Sequence, residues 1–156
     1  EMMRRAVDAV CEVAEQKRTT RSKILAVTVL TSIDATTLAQ IGTKGSPSEA
    51  VERLVRLAAI AGVDGVVSSP NEATAIRSFT KPNFLIVTPG IRPSDSTNTD
   101  DQKRVATAAN ALRAGANYLV VGRPITSASD PARAAQAIVD ELAAVENSEQ
   151  ADAMNV

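Results

Sequence analysis

Short apolar runs of strand length alternate with helix-start signals along nearly the whole chain, and that alternation admits few folds. The runs lie at residues 24–30, 63–67, 83–87 and 118–121, and each is followed by a segment of helical spacing. The first run lacks strict polar alternation, which predicts burial on both faces as in a parallel sheet. Parallel neighbours need a crossover of helical length, and the intervening segments supply one each time. The predicted order is a leading helix and then four β/α units, either an open sheet or part of a (β/α)8 barrel.

Local chemistry sets the boundaries. Met3, Val7, Val10 and Ala14 fall at helical spacing, so the chain opens on a helix that ends near Gln16 in a basic connection over residues 17–23, expected to be solvated. Ser46-Pro47-Ser48-Glu49 combines an N-cap serine, a proline in the first turn and a glutamate three residues after the cap. That helix should run to Ala61 with Gly62 as its stop, burying Val51, Leu54, Val55 and Ala58. Ser69-Pro70-Asn71-Glu72 repeats the grammar for a shorter helix, a further helix is expected over 106–114, and Asp130-Pro131 starts the last one, to about Val145. A short helical turn is expected near 36–40. Residues 1–145 thus form one partial (β/α) unit, and 146–156 are predicted to be a polar, frayed tail.

Two of the strand ends carry a glycine and an arginine, in Thr88-Pro89-Gly90-Ile91-Arg92 and Val121-Gly122-Arg123-Pro124. Glycine lets backbone N–H groups approach an anion, and the arginine guanidinium offers a planar fork of donors to phosphate oxygens. The pair reads as a phosphate clamp at the mouth of a β/α layer structure. The polar loop from Pro89 to about Gln102 exceeds the roughly 2 to 6 residues usual for a β-to-α connection, which marks it as functional or disordered.

Composition narrows the ligand. Seventeen Lys and Arg oppose eighteen Asp and Glu, so nothing in the charge balance attracts nucleic acid or an anionic membrane. One Tyr, two Phe and no Trp leave no aromatic platform for stacked bases. With no histidine, an imidazole-based triad or imidazole metal site is excluded. The single Cys11 fits a reducing compartment, and no segment reaches the roughly 18 apolar residues of a membrane span. A cytoplasmic protein that binds a small phosphorylated molecule is the resulting expectation. At 156 residues the chain falls short of the ~250 of a whole barrel. Barrel phosphates commonly sit after strands seven and eight, and here the clamp follows the last two strands, so the chain corresponds to a C-terminal half-barrel.

Five runs carry a more specific likeness. Leu25-Ala26-Val27-Thr28-Val29-Leu30-Thr31-Ser32, Gly65-Val66-Val67-Ser68, Val87-Thr88-Pro89-Gly90-Ile91-Arg92, Asp101-Gln102-Lys103-Arg104 and Val121-Gly122-Arg123-Pro124 resemble, in content and order, the orotidine 5'-phosphate decarboxylases. The resemblance implies a cofactor-free (β/α)8 TIM barrel, usually a homodimer, that converts orotidylate to uridylate in pyrimidine biosynthesis. It implies that Arg92, Gln102, Gly122 and Arg123 hold the substrate phosphate, with Gln102 also reaching the pyrimidine. Thr31 corresponds to the hydroxyl residue at the pyrimidine edge, and Pro89 to a residue lining the ring.

The family's Asp-x-Lys-x-x-Asp array, whose lysine protonates the carbanion left by carbon dioxide, is absent. Asp101-Gln102-Lys103 is the one Asp-x-Lys in the chain, and Ala106 stands where the second aspartate would be. No catalytic residue is therefore assigned. The expected partner is orotidylate or uridylate together with a second chain or a missing N-terminal half-barrel, and Asp34, Asp64 and Asp101 are expected to serve turns or helix starts. Two other readings stay open: a non-catalytic nucleotide- or sugar-phosphate-binding half-barrel, and a related barrel enzyme such as a hexulose-phosphate synthase.

Overall fold

A computed structural model describes residues 1–93 and 105–154, with side chains of the last helix described to residue 148. Gln102 and Asp101, and with them the Asp-x-Lys of the polar loop, lie outside the described residues. The elements are α1 (Met2–Lys17), β1 (Leu25–Val27), α2 (Ala35–Gln40), α3 (Pro47–Ile60), β2 (Gly65–Val67), α4 (Pro70–Phe79), β3 (Leu85–Thr88), α5 (Ala108–Arg113), β4 (Tyr118–Leu119), α6 (Arg123–Thr126) and α7 (Pro131–Met154). The four strands form one parallel sheet in the order β1-β2-β3-β4. Each connection is helical, as parallel pairing requires.

The helix starts follow from their caps. Ser46 Oγ accepts from the Glu49 amide while Glu49 Oε2 accepts from the Ser46 amide at 2.7 Å, a complete capping box. Ser69 accepts from Asn71 N and Asp130 from Arg133 N, and Asp34, at the head of α2, accepts from Thr37 N at 2.8 Å. Gly62 ends α3 with φ +82°, a conformation that favours glycine.

Most of the core lies between the sheet and its helices. Val66 and Ile86, on the outer face of β2 and β3, pack with Val51, Val55 and Ala58 of α3 and Ala73 and Ile76 of α4. A second cluster joins Ile91, Ala108, Ala111 and Ala116 to Ile138 and Leu142 of α7. Gly65 has no room for a side chain: a Cβ would overlap the carbonyl oxygen and Cβ of Leu85 on the paired strand.

Several sequence expectations need correction. The first strand is shorter than 24–30 and is not buried on both faces; Val27 is 61% exposed, because no layer packs against that side of the sheet among the described residues. Leu54 faces out at 40% exposure, since the core contacts of α3 are filled by Val51, Val55 and Ala58. The last helix does not end near Val145: α7 runs to Met154. A four-residue helix, α6, begins at Arg123, where a loop was expected.

Asp64 is not a turn residue, and the basic connection is not merely solvated. Asp64 accepts from Arg21 Nη1 at 2.8 Å and Nη2 at 2.6 Å, from the Ile24 amide at 2.8 Å and from Lys23 Nζ at 3.4 Å. This staple joins the entry of β1 to the entry of β2. A matching one closes the other side. Arg77 donates to the carbonyls of Phe84 and Gly115, each at 2.8 Å, and to Asn117 Oδ1 at 2.7 Å, which in turn accepts from Ile86 N.

Candidate functional site

The four strands deliver their C-terminal ends to one cavity of about 330 Å³. After β1 the ladder continues through one bond, from Thr28 N to the Val67 carbonyl, and the chain then turns at Leu30, whose carbonyl accepts from Ile33 N. That turn sets Thr31, 5% exposed, against the cavity with Ser32. Ser68 follows β2, and its amide extends the ladder to the Val87 carbonyl. After β3 the chain passes through Pro89 to Gly90, whose φ of +82° makes the sharp turn that leads to Arg92. After β4, Val120 N still pairs with the Thr88 carbonyl, and Gly122 and Arg123 come next.

Thr31, Pro89, Arg92, Gly122 and Arg123 therefore line the same cavity, although they come from three separate strand ends. Gln102, the sixth candidate, lies outside the described residues. The ends of the segment containing it are fixed in place: Arg92 N donates to the Ala106 carbonyl at 3.0 Å and Ala106 N to the Gly90 carbonyl at 3.3 Å, forming a parallel bridge. The chain leaves the cavity rim and returns to it at the same spot.

Arg92 is half-buried, and its Nη1 donates to the Ile91 carbonyl at 2.8 Å, which orients the guanidinium. Arg123 is exposed at the first turn of α6, whose start is capped by Gly122. A Cβ at Gly122 would meet no protein atom, so nothing in the packing excludes a side chain there; its absence keeps that wall of the cavity open. Two arginines line the cavity, and the donor fork of a guanidinium suits an anion. Val27, Val67 and Val120 add an apolar wall on the inner face of the sheet. An anionic group at one end and a flat or apolar group at the other is the ligand such a cavity matches.

The sequence motifs missed Ser68 as a site residue. It is 1% exposed, its Oγ has no hydrogen-bond partner among the described residues, and it borders the cavity. Its position at a strand end, equivalent to that of Thr31 and Pro89, was the available signal. Among the described residues no group of three or more Cys, Asp or Glu side chains could hold a metal ion, and no helix is long and apolar enough to cross a membrane.

Comparison with known proteins gives a consistent result. Residues 2–138 match the family described as orotidine 5'-phosphate decarboxylase / HUMPS. The orotidine 5'-phosphate decarboxylase of Geobacter sulfurreducens is 53% identical over 144 residues, which is 92% of this chain and 59% of that protein. The one from Trichlorobacter lovleyi is 51% identical over 144 residues, 92% of this chain and 58% of that protein. A crystal structure of orotidine 5'-phosphate decarboxylase from Lactobacillus acidophilus, a TIM barrel, superposes with a TM-score of 0.65 at 38% identity, covering 80% of this chain and 50% of that one. The chain spans about three fifths of the length of the curated relatives it matches.

Proposed function

Because this chain belongs to the orotidine 5'-phosphate decarboxylase / HUMPS family, we propose that it forms the phosphate-holding part of an enzyme that converts orotidylate to uridylate and carbon dioxide. Arg92 and Arg123 take the 5'-phosphate, with Gly122 allowing its close approach; the family resemblance adds Gln102 to the same group. Thr31 faces the pyrimidine edge, and Pro89 lines the ring. The observation that carries this reading is the convergence of Thr31, Pro89, Arg92, Gly122 and Arg123 on one cavity that has two arginines and no carboxylate among its described lining residues.

In such a site the phosphate is a handle. Its binding energy, gained far from the reacting carbon, is used to hold the ring in position while the carboxylate leaves. The proton that replaces carbon dioxide needs a donor beside the ring, and no Asp-x-Lys-x-x-Asp array occurs in these 156 residues. The chain alone accordingly binds the nucleotide without turning it over, and turnover requires a further segment or chain that brings the array to the open side of the cavity. A cytoplasmic location belongs to the same proposal, since the ligand is a free nucleotide and the one cysteine needs no oxidising compartment.

Calorimetric titration with uridylate, uridine and ribose 5-phosphate tests the assignment. Uridylate should bind, uridine should lose most of the affinity, and ribose 5-phosphate should fall between them. Equal affinity for uridylate and uridine would remove the phosphate clamp. Equal affinity for uridylate and ribose 5-phosphate would remove the pyrimidine and favour a sugar-phosphate enzyme of the same family.

A further inference from the structure

At the opposite end of the sheet, where the strands begin, a hollow of about 420 Å³ opens beside the C-terminal ends of α3 and α4. The strand register shows how it is built. Leu25, Gly65 and Leu85 pair across β1, β2 and β3, so Lys23, Val63 and Asn83, each two residues earlier, follow at one level beneath them. All three line the hollow, together with Lys81 on the turn before β3. The only two phenylalanines of the chain line it as well, Phe79 at the end of α4 and Phe84 just before β3. Phe84 is buried, and the Arg56 guanidinium lies 4.4 Å from the centroid of the Phe79 ring, which holds that ring in place.

The charges decide what such a hollow takes. Asp64 also lines it, but both of its oxygens are bonded by Arg21, so that pair cancels. Lys23 and Lys81 are exposed; Lys23 reaches Asp64 only at 3.4 Å, and Lys81 has no ion pair among the described residues. Against these two ammonium groups stand the ends of α3 and α4, each worth roughly half a negative charge from the aligned peptide dipoles. About one positive charge is left over. Asn83 adds amide donors next to it.

We propose that this hollow is a second ligand site, separate from the cavity that holds Arg92 and Arg123, and that it takes a small aromatic monoanion. The ring lies against Phe79 and Phe84, and the carboxylate is held by Lys81, Lys23 and Asn83. The volume falls within the roughly 300 to 1,000 Å³ of small-molecule sites. A phosphate dianion would bring more charge than the surplus can meet and would leave the aromatic walls unused. None of these residues lines the other cavity, so the proposal stands or fails apart from the decarboxylase reading.

Calorimetric titration of the intact protein with benzoate, benzamide and acetate tests it. Benzoate should bind, while benzamide, which lacks the charge, and acetate, which lacks the ring, should each bind about tenfold more weakly or worse. Lys81→Glu, at an exposed position, should weaken benzoate by about tenfold or more, the equivalent of one hydrogen bond to a charged group, with an unchanged circular dichroism spectrum. Lys81→Gln, which adds no charge, should show a smaller loss in the same direction. Arg123→Ala, and an excess of uridylate, should leave benzoate affinity as it is. No binding of benzoate overturns the proposal, as does equal affinity in the wild type and Lys81→Glu. Equal affinity for benzoate and acetate, or for benzoate and benzamide, would remove the aromatic anion. Loss of benzoate binding in Arg123→Ala or under uridylate would place the anion in the other cavity and overturn the second site.

Discussion

Lowering the pH should undo one specific part of this fold, the staple at Asp64. Its carboxylate is 9% exposed and accepts from both Arg21 nitrogens, the Ile24 amide and Lys23. The Arg21 hydrogen bonds, more than any other contact, draw its pKa from 3.8 to about 2 against the opposing effect of burial. A difference of that size corresponds to about 2 kcal/mol of stability. Because the folded pKa lies below the unfolded one, the contribution is complete above about pH 4 to 5 and is lost as the pH falls through the folded value near 2. Urea unfolding of the wild type and Asp64→Asn, followed by circular dichroism at a series of pH values, measures it. Asparagine keeps the shape and one acceptor but presents an amide to a guanidinium, so the variant should be less stable by about 2 kcal/mol at neutral pH. That gap should narrow steadily below pH 4. A gap that stays constant down to pH 2 would show that Asp64 stabilises through packing and that its charge contributes nothing.

Arg123→Ala should weaken uridylate binding by about 1.5 to 3 kcal/mol, roughly ten- to a hundredfold in Kd by calorimetry, with uridine binding unchanged. Arg77→Ala removes donors to two carbonyls and Asn117 and should cost the fold about 2 to 3 kcal/mol in urea, with no change in ligand affinity after correction for the unfolded fraction. Ser46→Ala breaks the capping box of α3 and should lower stability by about 1 kcal/mol by the same assay. Gly65→Val drives a side chain into Leu85, so a loss of soluble, folded protein is expected; a normal melting temperature would contradict the contact.

What could be read from the sequence was what local chemistry determines. Ser46, Ser69 and Asp130 announce their helices because a cap acts within three residues of itself. The glycine-arginine pairs were legible for the same reason: each follows directly on a strand, and strand ends are where β/α structures place ligands. Contacts made across the fold left no such mark. Arg21 and Asp64 are 43 residues apart, and Arg77 and Asn117 are 40 apart; an arginine in a basic run and an aspartate in a turn-like context give no sign that they will meet. The exposure of Val27 was equally hidden, because a β-branched run specifies a strand but not whether a second layer covers it. Ser68 escaped notice because a serine at a strand end is most simply explained as a cap, a role that its neighbour Ser69 fills.

The two ends of the sheet divide the work. At the end where the strands begin, the Arg21–Asp64 and Arg77–Asn117 groups tie β1 to β2 and β3 to β4, and none of their side chains lines the cavity. At the other end, Thr31, Arg92 and Arg123 are placed by strands whose register those staples fix. Loosening the Asp64 staple should therefore affect the ligand selectively. β1 carries Thr31, whereas both arginines hang from β3 and β4. In Asp64→Asn, affinity for ribose 5-phosphate should remain near that of the wild type while the extra affinity for uridylate falls, since only the strand carrying Thr31, the proposed contact to the base, has lost its anchor. An equal loss for both ligands would mean that the sheet moves as one body and that the cavity does not divide into a base-facing and a phosphate-facing half.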